Sequence, residues 1–385
     1  MSDLPWRVVS SPLAQWREMP SFVVGEVLFI TCALLALAHA LGHEGVARRR
    51  HLAVWIGALV TGTVNDWIFM LLPLVDNFWQ AQATVMLSPR MPLYIPCVYV
   101  WFMYLPTVTL WRVRSSRLGR AAASGLAAIV VYAPYDIVGA KFLWWTWHDT
   151  DQPIAHRLLG APMSSSLWVI TFVACFSFIL SRMLDREEDT SAKTAAIAVG
   201  VTALTTTVAM MLQMTVLQQL DGGTPGPRAL VTAVIVYAAL FAHGRWRAAK
   251  KLAPADDGAR DPLLRGAAFA YFGTLAAIML VFAPETHRST GVHQTVGECY
   301  VEAKDITGLT RYEFLCARDF DEDYTFDCAP PPPDGSRWYT ICGRPHRAPT
   351  LHRAGVAGLG VLGLLLYGGL LASRRLRSRP DGDSG

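Results

Sequence analysis

The chain has 385 residues, 52% of them hydrophobic and only 17% charged, with a mean hydropathy of +0.31. That balance excludes an ordinary soluble domain, in which about a quarter of residues are charged, and makes lipid the solvent for most of the chain. The net charge of +4 does not mark a nucleic-acid binder, because the arginines fall in short strips between apolar stretches and share no single face.

Residues 1–19 have neither the basic-then-apolar layout of a signal peptide nor a small-residue cleavage site, so the first apolar segment is expected to be retained. Apolar runs long enough to cross a hydrocarbon core of about 30 Å lie near 20–42, 52–74, 92–111, 121–143, 163–181, 195–217, 228–243, 266–283 and 354–372. The expected fold is therefore an all-α polytopic membrane protein of nine transmembrane helices. Cytoplasmic loops carry an excess of Lys and Arg. One alternate set of loops, beginning with Arg48 to Arg50 and closing with Arg374 to Arg379, holds 20 of them, against 6 in the other set with the long 284–353 loop left aside. This predicts an N-terminus outside, a C-terminus inside and a multi-pass position in the plasma (cytoplasmic) membrane. The expected divisions are a bundle over 1–283, an extracytoplasmic loop domain over 284–353, a last helix over 354–372 and a basic cytoplasmic tail over 373–385.

Cys32, Cys97 and Cys175 fall inside spans, where a thiol packs as a small apolar group. Cys299, Cys316, Cys328 and Cys342 all fall in the long outer loop, where an oxidising compartment implies two disulfides in one of three pairings. The loop is too small for a generous core, so such bridges have a structural purpose. Alternation of apolar and polar residues from Tyr312 to Cys328 predicts short strands, and Pro330 to Pro333 an extended kink.

Ionisable side chains inside spans are costly in lipid and face the bundle interior, which makes each a functional candidate. Glu26, Asp66 and Asp136 lie about 9, 12 and 10 Å below the outer ends of spans one, two and four at 1.5 Å per residue, so three acids from three helices share one level. The loops above them are the most polar: DNFWQAQATVMLSPR after span two and LWWTWHDTDQPIAHRLLGAP after span four. His148, Asp149 and Asp151 are one imidazole and two carboxylates within four residues. That set can hold a divalent metal ion or act as an acid–base pair; the structural alternative is a polar turn beneath a belt of Trp144, Trp145 and Trp147.

Two other patterns are read as structural. His39 and His43 have the i, i+4 spacing of ligands on one helix face, but they fall beside Arg48 to Arg50 at the inner end and read as a polar helix terminus. Asp319, Asp321 and Asp323 begin like a calcium loop, yet Tyr324 stands at the required glycine and Pro330 at the closing glutamate. Phosphate-loop, dinucleotide-binding and hydrolase-elbow patterns do not occur, so no soluble cofactor is expected and a divalent metal ion is the one candidate.

The stretch from Asp136 through Trp145, Trp147 and Gly160-Ala161-Pro162 to Trp168 resembles membrane proteins of carotenoid biosynthesis and spirocyclase-type membrane enzymes, in which an acid in a helix precedes an aromatic pair and a Gly-x-Pro approach to the next helix. The WHDTD motif in WHDTDQPIAHRLLGAP, together with DNFWQAQATVMLSPRMPLY and WYTICG, looks like an uncharacterised multi-pass membrane family that carries over no activity. The expectation is an enzyme of acid–base or metal-assisted chemistry on an apolar lipid or isoprenoid near the outer leaflet, with Asp66, Asp136, Glu26, His148, Asp149 and Asp151 as site residues. The rival readings are a cation- or proton-coupled transporter and a receptor or assembly factor acting through the outer loop. The lipid bilayer is the expected partner, not nucleic acid.

Overall fold

A computed structural model describes residues 4–72, 77–148, 151–184, 191–250, 260–306, 308–318 and 324–372. Asp149 and the run Asp319, Asp321 and Asp323 lie outside the described residues. A short helix α1 (Pro12–Glu18) precedes α2 (Pro20–Leu41), α3 (Gly45–Leu71), α4 (Tyr94–Trp111), α5 (Arg117–Lys141), α6 (Met163–Leu184), α7 (Ala192–Leu217), α8 (Pro227–Ala249), α9 (Pro262–Val281) and α10 (Pro349–Leu370). Among the described residues, the nine helices α2 to α10 are long and apolar enough to cross a membrane, and the chain is a multi-pass membrane protein.

The local sequence explains where these helices begin. Proline, which has no N–H to lose at a first turn, opens α1, α2, α8, α9 and α10. Side chains also cap the freed amides: the Ser116 hydroxyl accepts from Gly119 at 3.1 Å at the start of α5, and the Asp261 carboxylate from Leu264 at 3.0 Å at the start of α9. Helix α3 starts at Gly45, ahead of the apolar run, and takes in Arg48 to Arg50. Basic side chains are excluded from hydrocarbon but not from a helix.

Helix α4 forms the centre. From Tyr94 to Leu110 every residue except Cys97 is buried, as expected of a helix that is apolar all round. Helices α2, α3 and α5 surround it, and α9 and α10 close against α2 and α5. The opposite faces expose Val27, Leu34, Leu204, Val216, Leu280 and Leu365, each more than half accessible, an apolar surface that suits lipid rather than water.

Alternate connections gather at two ends. At one end, which we term the cap, the segment after α9 lies over the α3–α4 and α5–α6 connections: the amide of Ala81 donates to Trp144, and that of Gln82 to Thr290, each at 2.9 Å. The cap sheet is antiparallel with Trp338–Gly343 in the middle, flanked by Tyr324–Thr325 and Arg288–Val292, and Glu302–Lys304 pairs with Thr310–Tyr312. Disulfides join Cys299 to Cys316 and Cys328 to Cys342, so the expected short strands and bridges are both present. At the opposite end Arg50 donates to Leu184, Ser116 to Gly244 and Asp261 to Leu371.

Candidate functional site

The cavity beneath the cap takes its shape from how α5 ends. Leu143, at φ 58°, occupies the left-handed position that closes a helix. Its amide donates to Ala140 at 3.2 Å, and that of Trp144 to Gly139 at 2.8 Å. The chain turns back as a strand, Trp145–Trp147, that pairs with Phe78–Gln80. Strand side chains alternate between faces. Phe78, Gln80, Trp145 and Trp147 line the cavity, while Trp79 meets His148 and Thr146 meets His293 on the cap side. This ribbon roofs the space between α3, α4, α5, α6 and α7, whose free volume is about 790 Å³ with open solvent at its mouth included. The lining is largely apolar with a few polar groups, as in small-molecule sites.

Two acids reach this cavity. Asp66 lines it directly, five residues before the end of α3, and is buried. Its Oδ1 accepts a short hydrogen bond from the Tyr99 hydroxyl. Asn65 reaches the same hydroxyl at 3.2 Å and accepts from Thr207 at 3.2 Å, which ties α3, α4 and α7 into one polar set. Tyr99 can lie this close because Gly62 has no side chain: a Cβ there would stand 2.0 Å from Tyr99 Cγ. Asp136, also buried, stands one hydrogen bond behind the opposite wall. The Ser165 hydroxyl, which lines the cavity, donates to its Oδ2 at 2.7 Å, and its Oδ1 has no hydrogen-bond partner among the described residues. Tyr132, on the wall between them, is within electrostatic reach of both acids.

The other sequence-selected residues hold the cap. Glu26 accepts from the Thr84 amide at 2.9 Å and from its hydroxyl at 2.8 Å, fastening α2 to the α3–α4 connection. Burial pushes up this clamp's desolvation cost, and the two Thr84 donors offset it. His148 Nε2 lies 2.5 Å from the Tyr312 carbonyl and 2.6 Å from the Gln294 amide. Asp151, fully buried, forms a two-pronged pair with Arg311, which also reaches Asp305 at 3.1 Å. A guanidinium and a carbonyl thus face the donors that a metal ion would use, which is not the setting of a cation site; Asp149 lies outside the described residues.

Two further imidazoles set the seam between cap and bundle. His287 Nδ1 lies 3.0 Å from the Ala283 carbonyl, and its Nε2 lies 2.7 Å from the Ser21 hydroxyl, which Trp144 meets at 3.1 Å. Burial lowers the pKa of His287 to about 4, against smaller opposing effects of the Ala283 carbonyl and Glu285. His293, enclosed beside Tyr339, is lowered to about 4 by burial as well.

Sequence reasoning found both cavity acids but missed the groups that hold them, Tyr99 and Ser165. A tyrosine in an aromatic-rich helix carries no signal of its own; the run Ser164 to Ser166 at the start of an apolar helix does, because hydroxyls there face protein rather than lipid. With this geometry in view, the chain belongs to the family described as a domain of unknown function (DUF7802), whose model matches residues 6–367. Neither a curated protein nor a solved structure matches it.

Proposed function

We propose that the chain is a membrane-embedded enzyme that draws an amphipathic lipid or isoprenoid into the cavity and performs acid–base chemistry on it, a hydration or a cyclisation. The observation that carries this reading is that two buried carboxyl groups in unlike hydrogen-bond settings serve one apolar cavity. In this reading Asp136 is the donor and Asp66 the acceptor. The Ser165 hydroxyl, which donates to Asp136 at rest, turns to give its proton to a carbon of a substrate double bond, while the protonated Asp136 carboxyl turns its O–H to the serine oxygen and replaces that proton. The resulting cation is either attacked by a second double bond of the substrate, which closes a ring and moves the charge to a carbon that then loses a neighbouring proton to Asp66, or captures a water whose proton Asp66 accepts. Exchange with water at the mouth restores both acids. The Trp145, Trp147 and Trp168 walls would hold an apolar chain and stabilise positive charge by their π faces.

Tyr135, which lines the cavity, packs on Phe29, Phe29 on Tyr271 and Tyr271 on Trp101. The proposed orientation has the cap outside and the C-terminus in the cytoplasm, supported by the excess of Lys and Arg in the opposite loops and by two disulfides in the cap.

The test is solvent exchange. Membranes containing the wild-type chain, incubated in D2O with a mixed isoprenoid and lipid extract, should place deuterium on carbon in one product class. Asp136→Asn and Asp66→Asn should each abolish that incorporation while accumulating normally. Incorporation that is independent of the protein, or undiminished from wild type in either variant, refutes the proposal.

A further inference from the structure

At the end opposite the cap, three histidines from two helices and their connecting turn come together. His39 ends α2, His43 follows in the turn and His51 lies in the second turn of α3. One ring nitrogen from each lies within 4.8 Å of the others. The His43 and His51 rings stack at 3.8 Å, and His39 meets them at 4.8 and 5.3 Å. The surroundings sort the ring nitrogens into those held by protein and those left over. His51 Nδ1 lies 2.8 Å from the Ala47 carbonyl, which leaves its Nε2 with the lone pair. His43 Nε2 is buried and has no hydrogen-bond partner among the described residues. His39 Nε2 is held by Asp261 and its Nδ1 lies against the Tyr104 hydroxyl, each at 2.7 Å, so Nδ1 is the nitrogen that would exchange the phenol for an ion.

From this geometry we infer that His39, His43 and His51 form a binding site for a divalent transition metal of the zinc class, with Asp261 as the carboxylate that orients His39. Three imidazoles with a carboxylate behind one of them are the donor set such ions prefer. On a tetrahedral ion with bonds of about 2.05 Å, ligand nitrogens sit about 3.3 Å apart. Closing onto an ion therefore takes up to about 1.5 Å from the 4.8 Å separation, a movement that the half-buried His43 in its turn can supply. Arg112 is a nearby positive charge, but it lies 3.0 Å from Asp261, whose carboxylate offsets it. Three protein ligands leave a fourth position for water, for a substrate oxygen or for the Tyr104 phenol. The ion would fasten α2 and α3 to α4 and α9, and the inference stands apart from any chemistry in the cavity.

The test uses full-length protein in nanodiscs, purified through a tag without histidine, stripped with chelator and titrated with Zn2+ against a chromophoric indicator. Wild type should bind one Zn2+ per chain, and Co2+ in its place should give the intense visible bands of a tetrahedral site. His43→Ala and His51→Ala should each weaken binding at least tenfold and abolish those bands, and Asp261→Asn should weaken it about 10- to 100-fold. His243→Ala, a histidine on α8 outside the cluster, should leave binding unchanged. If His51→Ala fails to accumulate, His43→Ala at the exposed turn decides. Absence of stoichiometric binding by the wild type, or equal binding by His43→Ala, overturns the site.

Discussion

Arg311→Ala should detach the cap from the bundle without disturbing the membrane helices. Arg311 and Asp151 are 4% and 0% exposed, 160 residues apart in sequence, and meet through two guanidinium nitrogens. Removing the guanidinium takes from the buried Asp151 and Asp305 carboxylates the charge that Arg311 brings to both. Loss of one partner of such a pair costs about 3–5 kcal/mol, which is about 150- to 5,000-fold in the constant for local opening. Amide exchange along Thr310–Tyr312 and the paired Glu302–Lys304, followed by mass spectrometry at neutral pH, should accelerate by that factor, while α4 keeps its protection. Replacing both charges by groups of similar volume is often close to neutral, so Asp151→Asn with Arg311→Met should open much less readily than the two single changes imply together. Wild-type protection in Arg311→Ala, or a double variant as open as the sum of the singles, would refute the reasoning.

Two more predictions follow from the same geometry. His287 and His293 stay neutral in the fold down to about pH 4, whereas a free imidazole protonates near pH 6.5. The stability that depends on their neutral form is fully present above pH 6.5 and is lost as pH falls toward 4, by roughly 3 kcal/mol for each group. Tryptophan fluorescence during denaturant titration at pH 7.5 and 4.5 should therefore show a weaker cap at the lower pH, and equal midpoints would count against the buried imidazoles. At the cavity, Gly62→Ala sets a methyl carbon against the Tyr99 ring and should cost about 1–3 kcal/mol in stability as the ring moves off Asp66. Tyr99→Phe keeps the ring but takes the hydroxyl from buried Asp66 and Asn65, and should cost about 1–3 kcal/mol while deuterium incorporation falls; a Gly62→Ala protein as stable as wild type would show that the contact yields freely.

Much of the bundle was legible in the sequence because the decision to cross a membrane is local. Each run of about 20 apolar residues makes it alone, from its own transfer free energy and its own backbone hydrogen bonds, and the nine expected spans match α2 to α10 to within a few residues at most ends. The larger departures, at the starts of α3 and α10 and the end of α8, occur where helix continues past the apolar segment into basic or polar residues. The separation of cysteines into three in spans and four in one loop likewise follows from composition along the chain.

What each acid does was not local. Glu26, Asp66 and Asp136 look alike in sequence, yet Asp66 lines the cavity and Asp136 stands behind its Ser165 wall, while Glu26 ties down Thr84. Rotation of each helix about its axis makes that difference, and rotation is set by packing: Gly62 lets Tyr99 approach α3, and Gly139 lets the Trp145 ring lie on α5. The sequence by itself determined which segments form helices long and apolar enough to cross lipid and which residues carry charge into the bundle, because hydropathy and helix length act segment by segment. Only the tertiary structure decided that His51 joins His39 and His43, and that Asp151 meets Arg311, because such pairings exist only once distant helices and the cap settle into a shared packing.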